Sequence, residues 1–164
     1  MGHSGPGTMG HLCAVVFSSL AGLDITPISY RGTAPMLTDL IGGQITAGFP
    51  AYNPATKSAS ILAVTTDERV EFLPDVPTMK ESGFDVVGAT WFAIFAPART
   101  PPEIVAKLNG AINEFLKKPE TRARFNDAGF RVFGGPAARV TQKVSQDRDK
   151  WAPIIARLNL TPDK

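Results

Sequence analysis

The sequence predicts an α/β fold built on a mostly parallel sheet with crossover helices, and three observations carry that expectation. Helix-period and strand-like segments alternate through the first half of the chain. Two helices open directly behind short strands at turns of small residues, which is how βαβ units join their elements. Finally, 164 residues with 43% hydrophobic and 20% charged side chains suffice for one full core or two small lobes and exclude a disordered or fibrous chain.

The elements follow in order. After Ser4-Gly5-Pro6-Gly7, Thr8 is placed to cap a helix with Leu12, Val16 and Leu20 recurring every four positions, and Gly22 stops it. Ile25–Tyr30 reads as a strand. Gly32 and Thr33 open a second helix through Met36, Leu37, Leu40 and Ile41, closed by Gly42-Gly43; Gln44–Phe49 and Ile61–Thr65 read as further strands. Between them Pro50, Asn53 and Pro54 break any regular pattern, so residues 49–60 are expected to form a loop. Leu73-Pro74-Asp75-Val76-Pro77-Thr78 leads into a short helix ending at Gly83, and the apolar run Val86–Ala96 is expected as a strand buried on both faces. Thr100-Pro101-Pro102-Glu103 has the form of a capping box, opening a helix through Ile104, Leu108, Ile112 and Phe115. Pro119 starts another that ends at Gly129. A strand at Arg131–Phe133 and a long final helix, bent at Pro153, complete the chain.

Charge is unevenly divided. Residues 1–82 hold 4 basic and 7 acidic groups, and residues 83–164 hold 13 and 8. The basic excess is interleaved with Glu114, Glu120 and Asp127, the pattern of a solvated helical surface, and not the clustered stripe that nucleic acid requires. No run approaches the roughly 20 apolar residues of a membrane span, and the first residues do not read as an export signal. One cysteine, Cys13, with His3 and His11, gives neither an internal disulfide nor a structural zinc spacing.

Chemistry concentrates at the start. Gly5-Pro6-Gly7-Thr8-Met9-Gly10 matches the dinucleotide pattern G-x-G-x-x-G, making a dinucleotide-binding enzyme domain the alternative reading. That pattern needs a preceding strand, for which only four residues remain; Asp24 precedes the next strand, while Arg31 stands at its end and suits a 2′-phosphate. Gly2-His3-Ser4-Gly5-Pro6 begins like a nucleophile elbow but lacks the closing glycine, and His11 lies too close in sequence for the usual triad base. The plainer alternative is a glycine turn that merely starts a helix. Against it stands the second device, Tyr30-Arg31-Gly32-Thr33: two helix N-termini opening at one sheet edge offer free N–H groups and partial positive charge to a carboxylate or phosphate.

Ser4-Gly5-Pro6-Gly7-Thr8-x-x-His11-Leu12 and Ile28-Ser29-Tyr30-Arg31-Gly32-Thr33-Ala34-Pro35-x-Leu37-x-Asp39-Leu40-x-Gly42-Gly43-Gln44 resemble the Bug-type extracytoplasmic solute receptors of tripartite tricarboxylate transporters. Leu62-Ala63-Val64-Thr65, Leu73–Thr78, Trp91-Phe92, Ala96-Pro97-Ala98-x-Thr100-Pro101 and Val105-x-x-Leu108-Asn109 fit the same family in the same order. The resemblance implies a periplasmic, Venus-flytrap-like binding protein that captures a small carboxylate and delivers it to membrane transporter subunits, without catalysis or cofactor. It implies ligand contacts from Ser4, Gly5, Gly7 and Thr8 in one loop and Tyr30, Gly32 and Thr33 in the other, with His11 and Asn53 as weaker candidates. It further implies that residues 1–91 form the second, ligand-facing lobe, and that 92–164 are a C-terminal helical segment returning to the first lobe. Two departures stand out. The first lobe's N-terminal portion and the export signal are absent, so the chain reads as a fragment, one reading of which is that it binds nothing alone. The segment after Phe49 is also shorter than in the family, with Pro50-Ala51-Tyr52-Asn53-Pro54 where a ligand-contacting residue and a short helix are usual. Trp91 and Phe92 are expected as core or hinge packing, and the surface left by the missing lobe as a site of self-association.

Overall fold

A computed structural model describes residues 1–157. The described chain divides into two compact units, Met1–Thr90 with residues 154–157, and Trp91–Pro153.

The N-terminal unit is organised by a three-stranded parallel sheet of order β2-β1-β3, formed by β1 (Gly2–His3), β2 (Ile28–Ser29) and β3 (Gly48–Phe49). Helix α1 (Met9–Ala21) connects β1 to β2, and α2 (Thr33–Ile41) connects β2 to β3. Side-chain alternation assigns each helix a face. His3 and Phe49 point to α1, where His3 stacks on His11 and Phe49 lies 6.0 Å from the Phe17 ring. Gly2 and Gly48 point to α2: a Cβ on Gly2 would lie 2.7 Å from Ile45 and 3.0 Å from Met36, and one on Gly48 would lie 3.2 Å from the Met36 sulfur. Glycine at both positions lets Met36 sit on the strands with no exposed surface. Gly10 does the same on the opposite face, where a Cβ would fall 2.3 Å from the Phe49 carbonyl oxygen. Leu12, Cys13, Leu37, Ile45, Val70, Met79 and Val86 complete the interior.

The fold class expected from the sequence therefore holds, with helices on both faces of a parallel sheet. Both expected helix starts hold as well: Thr8 caps α1, Gly22 ends it at φ 62°, and Gly32 precedes α2. The corrections concern strands and turns. A strand, β1, precedes the glycine loop, contrary to the expectation that too few residues remain for one. The strands expected at 25–30 and 44–49 contract to two residues each. Residues 61–65 make a single parallel bridge, Val64 to Thr78. The helix expected before Gly83 is a run of turns, held by a reciprocal pair in which Thr78 N–H donates to Glu81 and Glu81 N–H donates to the Thr78 hydroxyl. The expected loop at 49–60 contains a 3-10 helix, Pro54–Ser58.

In the C-terminal unit, α3 (Pro102–Lys117) and α4 (Pro119–Asp127) each start with proline at the first position, and α5 (Ala138–Arg157) carries Pro153 inside it, where a bend was expected. Thr100 does not cap α3; Pro101 is the cap residue and no side chain bonds there. The run from Val86 is not a strand. It is buried at Val86 and Gly88, but Phe92, Ile94 and Phe95 are 77%, 78% and 68% exposed, so burial on both faces is overturned. Phe92 is accordingly not core: its ring meets Phe130 at 5.6 Å, whereas Trp91 is half-buried with its indole N–H donated to Asp147 at 2.6 Å. Residues 131–133 are irregular, with the Phe133 ring flanked by the Arg131 and Arg139 guanidinium groups. The loop at Gly134-Gly135 is tied to α3 by Asn113, whose amide accepts from Gly135 N–H at 2.7 Å and donates to the Gly135 carbonyl at 3.0 Å.

Candidate functional site

Parallel pairing fixes where the loops emerge. Each strand runs the same way, so the segments following β1, β2 and β3 leave from the same edge of the sheet: Ser4–Thr8, Tyr30–Gly32 and Pro50–Asn53. The first two are adjacent. Tyr30 N–H donates to the His3 carbonyl at 2.9 Å, and a Cβ on Gly5 would lie 3.8 Å from the Tyr30 carbonyl oxygen. The order β2-β1-β3 places the reversal of strand order between β1 and β3, beside the Ser4–Thr8 loop, and the crevice at such a reversal is where ligands of parallel α/β sheets bind.

Within the first loop the Gly5 carbonyl is the hub. It accepts from the Thr8 hydroxyl at 2.8 Å, from Thr8 N–H at 3.4 Å and from His3 Nδ1 at 3.0 Å. Gly5 and Gly7 adopt φ of 132° and 70°, values that carry strain for any residue with a Cβ. Thr8 also accepts from His11 N–H at 3.3 Å, and Gly7 N–H donates to His11 Nδ1 at 3.1 Å. The Gly7 amide and Thr8 hydroxyl thus shape the loop from within. Ser4 is half-buried, and its hydroxyl has no hydrogen-bond partner among the described residues. Capping satisfies the third amide of α1 and leaves those of Met9 and Gly10 without a carbonyl partner inside the helix.

The second loop is simpler. Gly32 takes φ 103° and offers no side-chain cap, so Thr33 and Ala34 open α2 with their amides unclaimed by a cap. The Tyr30 hydroxyl donates to Asp39 at 2.8 Å; partial burial first, then the Asp39 hydrogen bond and charge, push the phenol above its ordinary range. Asn53 is turned inward to its own chain: its side chain accepts from Ala55 N–H at 2.9 Å and caps the 3-10 helix. His11 is 8% exposed, buried against His3, which leaves Nε2 and not Nδ1 as its remaining donor. Two partners escaped the sequence reading. His3 entered it only through a failed elbow pattern and a rejected zinc spacing, and Asp39 only as a family letter, although its place nine residues after Tyr30, on the helix that follows that strand, was a usable signal.

The competing chemistries change standing. With β1 in place, the glycine pattern does follow a strand and Gly10 makes the close helix-to-strand contact that its third glycine requires. Asp24, however, is exposed and precedes β2 rather than ending it. An elbow reading of Ser4 gains the strand, but neither imidazole is hydrogen-bonded to the Ser4 hydroxyl: each Nδ1 engages loop backbone. Among the described residues no group of three or more His, Cys, Asp or Glu side chains is arranged to hold a metal ion, and no helix is long and apolar enough to cross a membrane.

A parallel α/β unit that gathers two small-residue helix starts at its carboxyl edge belongs to the class of small-ligand binding lobes. The particular family is given by the whole sequence: the chain belongs to the tripartite tricarboxylate transporter receptors, whose family description matches residues 1–160. It is 34% identical over 167 residues to a Pseudomonas knackmussii protein named UPF0065 protein in clcB-clcD intergenic region, covering 95% of this chain and 98% of that one. It is 30% identical over 155 residues to Protein BugT of Bordetella pertussis, covering 91% of this chain and 48% of the relative. Among solved structures, R. palustris Rpa4515 with adipate superposes with a TM-score of 0.83 at 31% identity, over 99% of this chain and 56% of that one. The periplasmic binding protein BugD gives 0.73 at 29%, over 99% and 57%. Apart from the Pseudomonas knackmussii protein, the chain spans about half the length of the curated relatives it matches. Family membership removes the dinucleotide enzyme as a reading of the glycine loop.

Proposed function

We propose that this chain supplies a ligand-facing lobe of a periplasmic receptor that captures a small carboxylate and passes it to the membrane subunits of a tripartite tricarboxylate-type transporter. One observation carries the reading: pairing of β1 with β2 brings the Ser4–Thr8 and Tyr30–Thr33 loops, with the starts of α1 and α2, to one sheet edge. Helix N-termini present backbone N–H donors and partial positive charge, so a carboxylate binds there by fixed dipoles without a cationic side chain or a covalent step. Ser4, Thr33 and the first amides of the two helices are the direct donors, Tyr30 closes the side, and Gly5, Gly7, Thr8 and Gly32 give the loops their shape. Adipate in a relative of similar fold makes linear dicarboxylates the first ligands to try. The remaining determinants of ligand choice come from a second lobe, to which residues beyond 91 contribute. Exposed Phe92, Ile94 and Phe95 form the apolar surface through which isolated copies of this chain self-associate, a state that light scattering reads directly.

Calorimetric titration with adipate, succinate and acetate tests the central reading, on this chain and on a full-length receptor carrying it. Saturable binding of a carboxylate, weakened by Ser4→Ala and by Thr33→Val, is expected. Failure of the full-length receptor to bind any carboxylate of the panel sinks it.

A further inference from the structure

His3 and His11 stand behind the Ser4–Thr8 loop as a stacked pair, with ring centroids 4.1 Å apart and planes 13° from parallel, and both are buried. Each holds one end of the loop. A carbonyl only accepts, so the contact between His3 Nδ1 and the Gly5 oxygen places a proton on that nitrogen. A backbone amide only donates, so the Gly7 N–H contact requires His11 Nδ1 to be bare and puts the neutral ring's proton on Nε2. Gly7 has no other acceptor for its amide among the described residues and sits at φ 70°, where a Cβ would meet nothing within 4 Å.

We propose that His11 is a positioning residue of the carboxylate loop: its bare Nδ1 holds the Gly7 amide in place, and protonation in mild acid releases that end of the loop and weakens carboxylate capture. This rests on the carboxylate reading above. A protonated Nδ1 would oppose N–H to N–H, and the ring would carry its charge against the face of His3. The Thr8 cap uses the Gly5 carbonyl and the His11 backbone, not the imidazole, so α1 keeps its start when the latch opens. Burial first, and then His3, hold the His11 imidazolium below its ordinary range, which keeps the latch closed at neutral pH. The charged surroundings are sparse. Of the elements packed on α1, β1 presents His3, β3 has no titratable side chain, the stretch reaching α1 through Phe84 and Gly88 carries only Asp85, which is exposed, and Met1, with its N-terminal ammonium, and Arg157 line a pocket with Ala14, Val15, Ser18 and Ser19 of the helix.

The test uses the full chain and two readouts. Heteronuclear NMR follows the Gly7 amide and the His11 ring nitrogens from about pH 8 to about pH 5, and calorimetry measures adipate binding across the same range. In the unsubstituted chain the Gly7 resonance should move, and lose exchange protection, in step with the His11 ring, while adipate affinity falls about tenfold. His11→Asn supplies a non-titrating acceptor oxygen and should flatten both profiles; His11→Phe removes the acceptor and should show the released loop and weak binding at every pH. A Gly7 amide that ignores pH, or that titrates identically in His11→Asn, overturns the proposal. A normal Gly7 titration in a full-length receptor carrying this chain that binds no carboxylate of the panel at neutral pH instead overturns the carboxylate reading, and with it the ligand half of the latch.

Discussion

The N-terminal unit closes on itself by backbone approach, whereas the C-terminal unit is held by polar side chains and leaves much of its apolar surface uncovered. In the first, Gly2, Gly10 and Gly48 remove side chains where helix meets strand, and Met36, Cys13 and Val86 are almost fully enclosed. In the second, α3 has no buried residue at all, and Leu108, Phe115 and Phe133 are more than half exposed. Its fixed points are the Asn113 clamp on Gly135 and the Trp91 bond to Asp147. Apolar content is thus a poor guide to where a core lies: the apolar runs at 12–17 and 91–96 are equally long, yet the first is buried or half-buried throughout and the second holds four exposed residues.

Substitutions sharpen the contrast, beginning with the largest effects. Gly10→Ala puts a methyl group against the Phe49 backbone oxygen, which cannot rotate away, and Met36→Ala empties a fully enclosed site; each should cost about 3 kcal/mol in denaturant unfolding of the N-terminal unit. Gly2→Ala should cost less, because the opposing Ile45 and Met36 atoms are ends of flexible side chains. A Gly10→Ala chain as stable as the parent would break the comparison at its firmest point. Asn113→Ala should cost about 1.5 kcal/mol, since the Gly135 N–H loses its partner while the Gly135 carbonyl keeps the Asn109 amide at 3.1 Å.

Trp91→Phe should remove about 1 kcal/mol while preserving most of the ring contact. Its effect is coupled to pH. Burial pushes the Asp147 carboxyl up, but hydrogen bonds from Lys143 and Trp91 and the charges of Lys143 and Lys150 outweigh it, so the folded pKa lies below the ordinary one. The stabilisation is fully present above about pH 3.9 and is lost as pH falls through the depressed folded value. The Trp91→Phe difference should therefore shrink in strong acid. His11 acts in the same direction higher up the scale: its lowered folded pKa makes the N-terminal unit lose stability as pH falls below about 6.5, as thermal unfolding against pH would show. Leu108→Ala should be the smallest change, within about 0.5 kcal/mol, because the side chain is already half in solvent.

The parts of the fold legible in the sequence are those written in local chemistry. Thr8 and Gly22 bracket α1, and Gly32 and the left-handed Gly43 bracket α2, because these positions favour particular residues. Strand β1 was not legible: Gly-His has no strand signature, and Gly2 is there for the approach of Ile45 and Met36, a fact about distant residues. The capping box at Thr100 was misread because Pro101 and Pro102 set the helix start by themselves. Of the candidate site, the two loops and their common edge followed from pattern and resemblance. The internal engagement of Gly7 and Asn53 did not, because residue type alone does not reveal whether a polar group is already taken.

Cys13 gives the N-terminal unit a built-in clock. The only thiol of the chain, it is 1% exposed, on the side of α1 that reaches Gly88. A small alkylating reagent can reach the sulfur only during excursions that lift α1 from its neighbours, so the labelling rate counts those openings one molecule at a time. Ligand held at the start of the same helix would slow that count, and capture of a spectroscopically silent carboxylate becomes visible by mass alone.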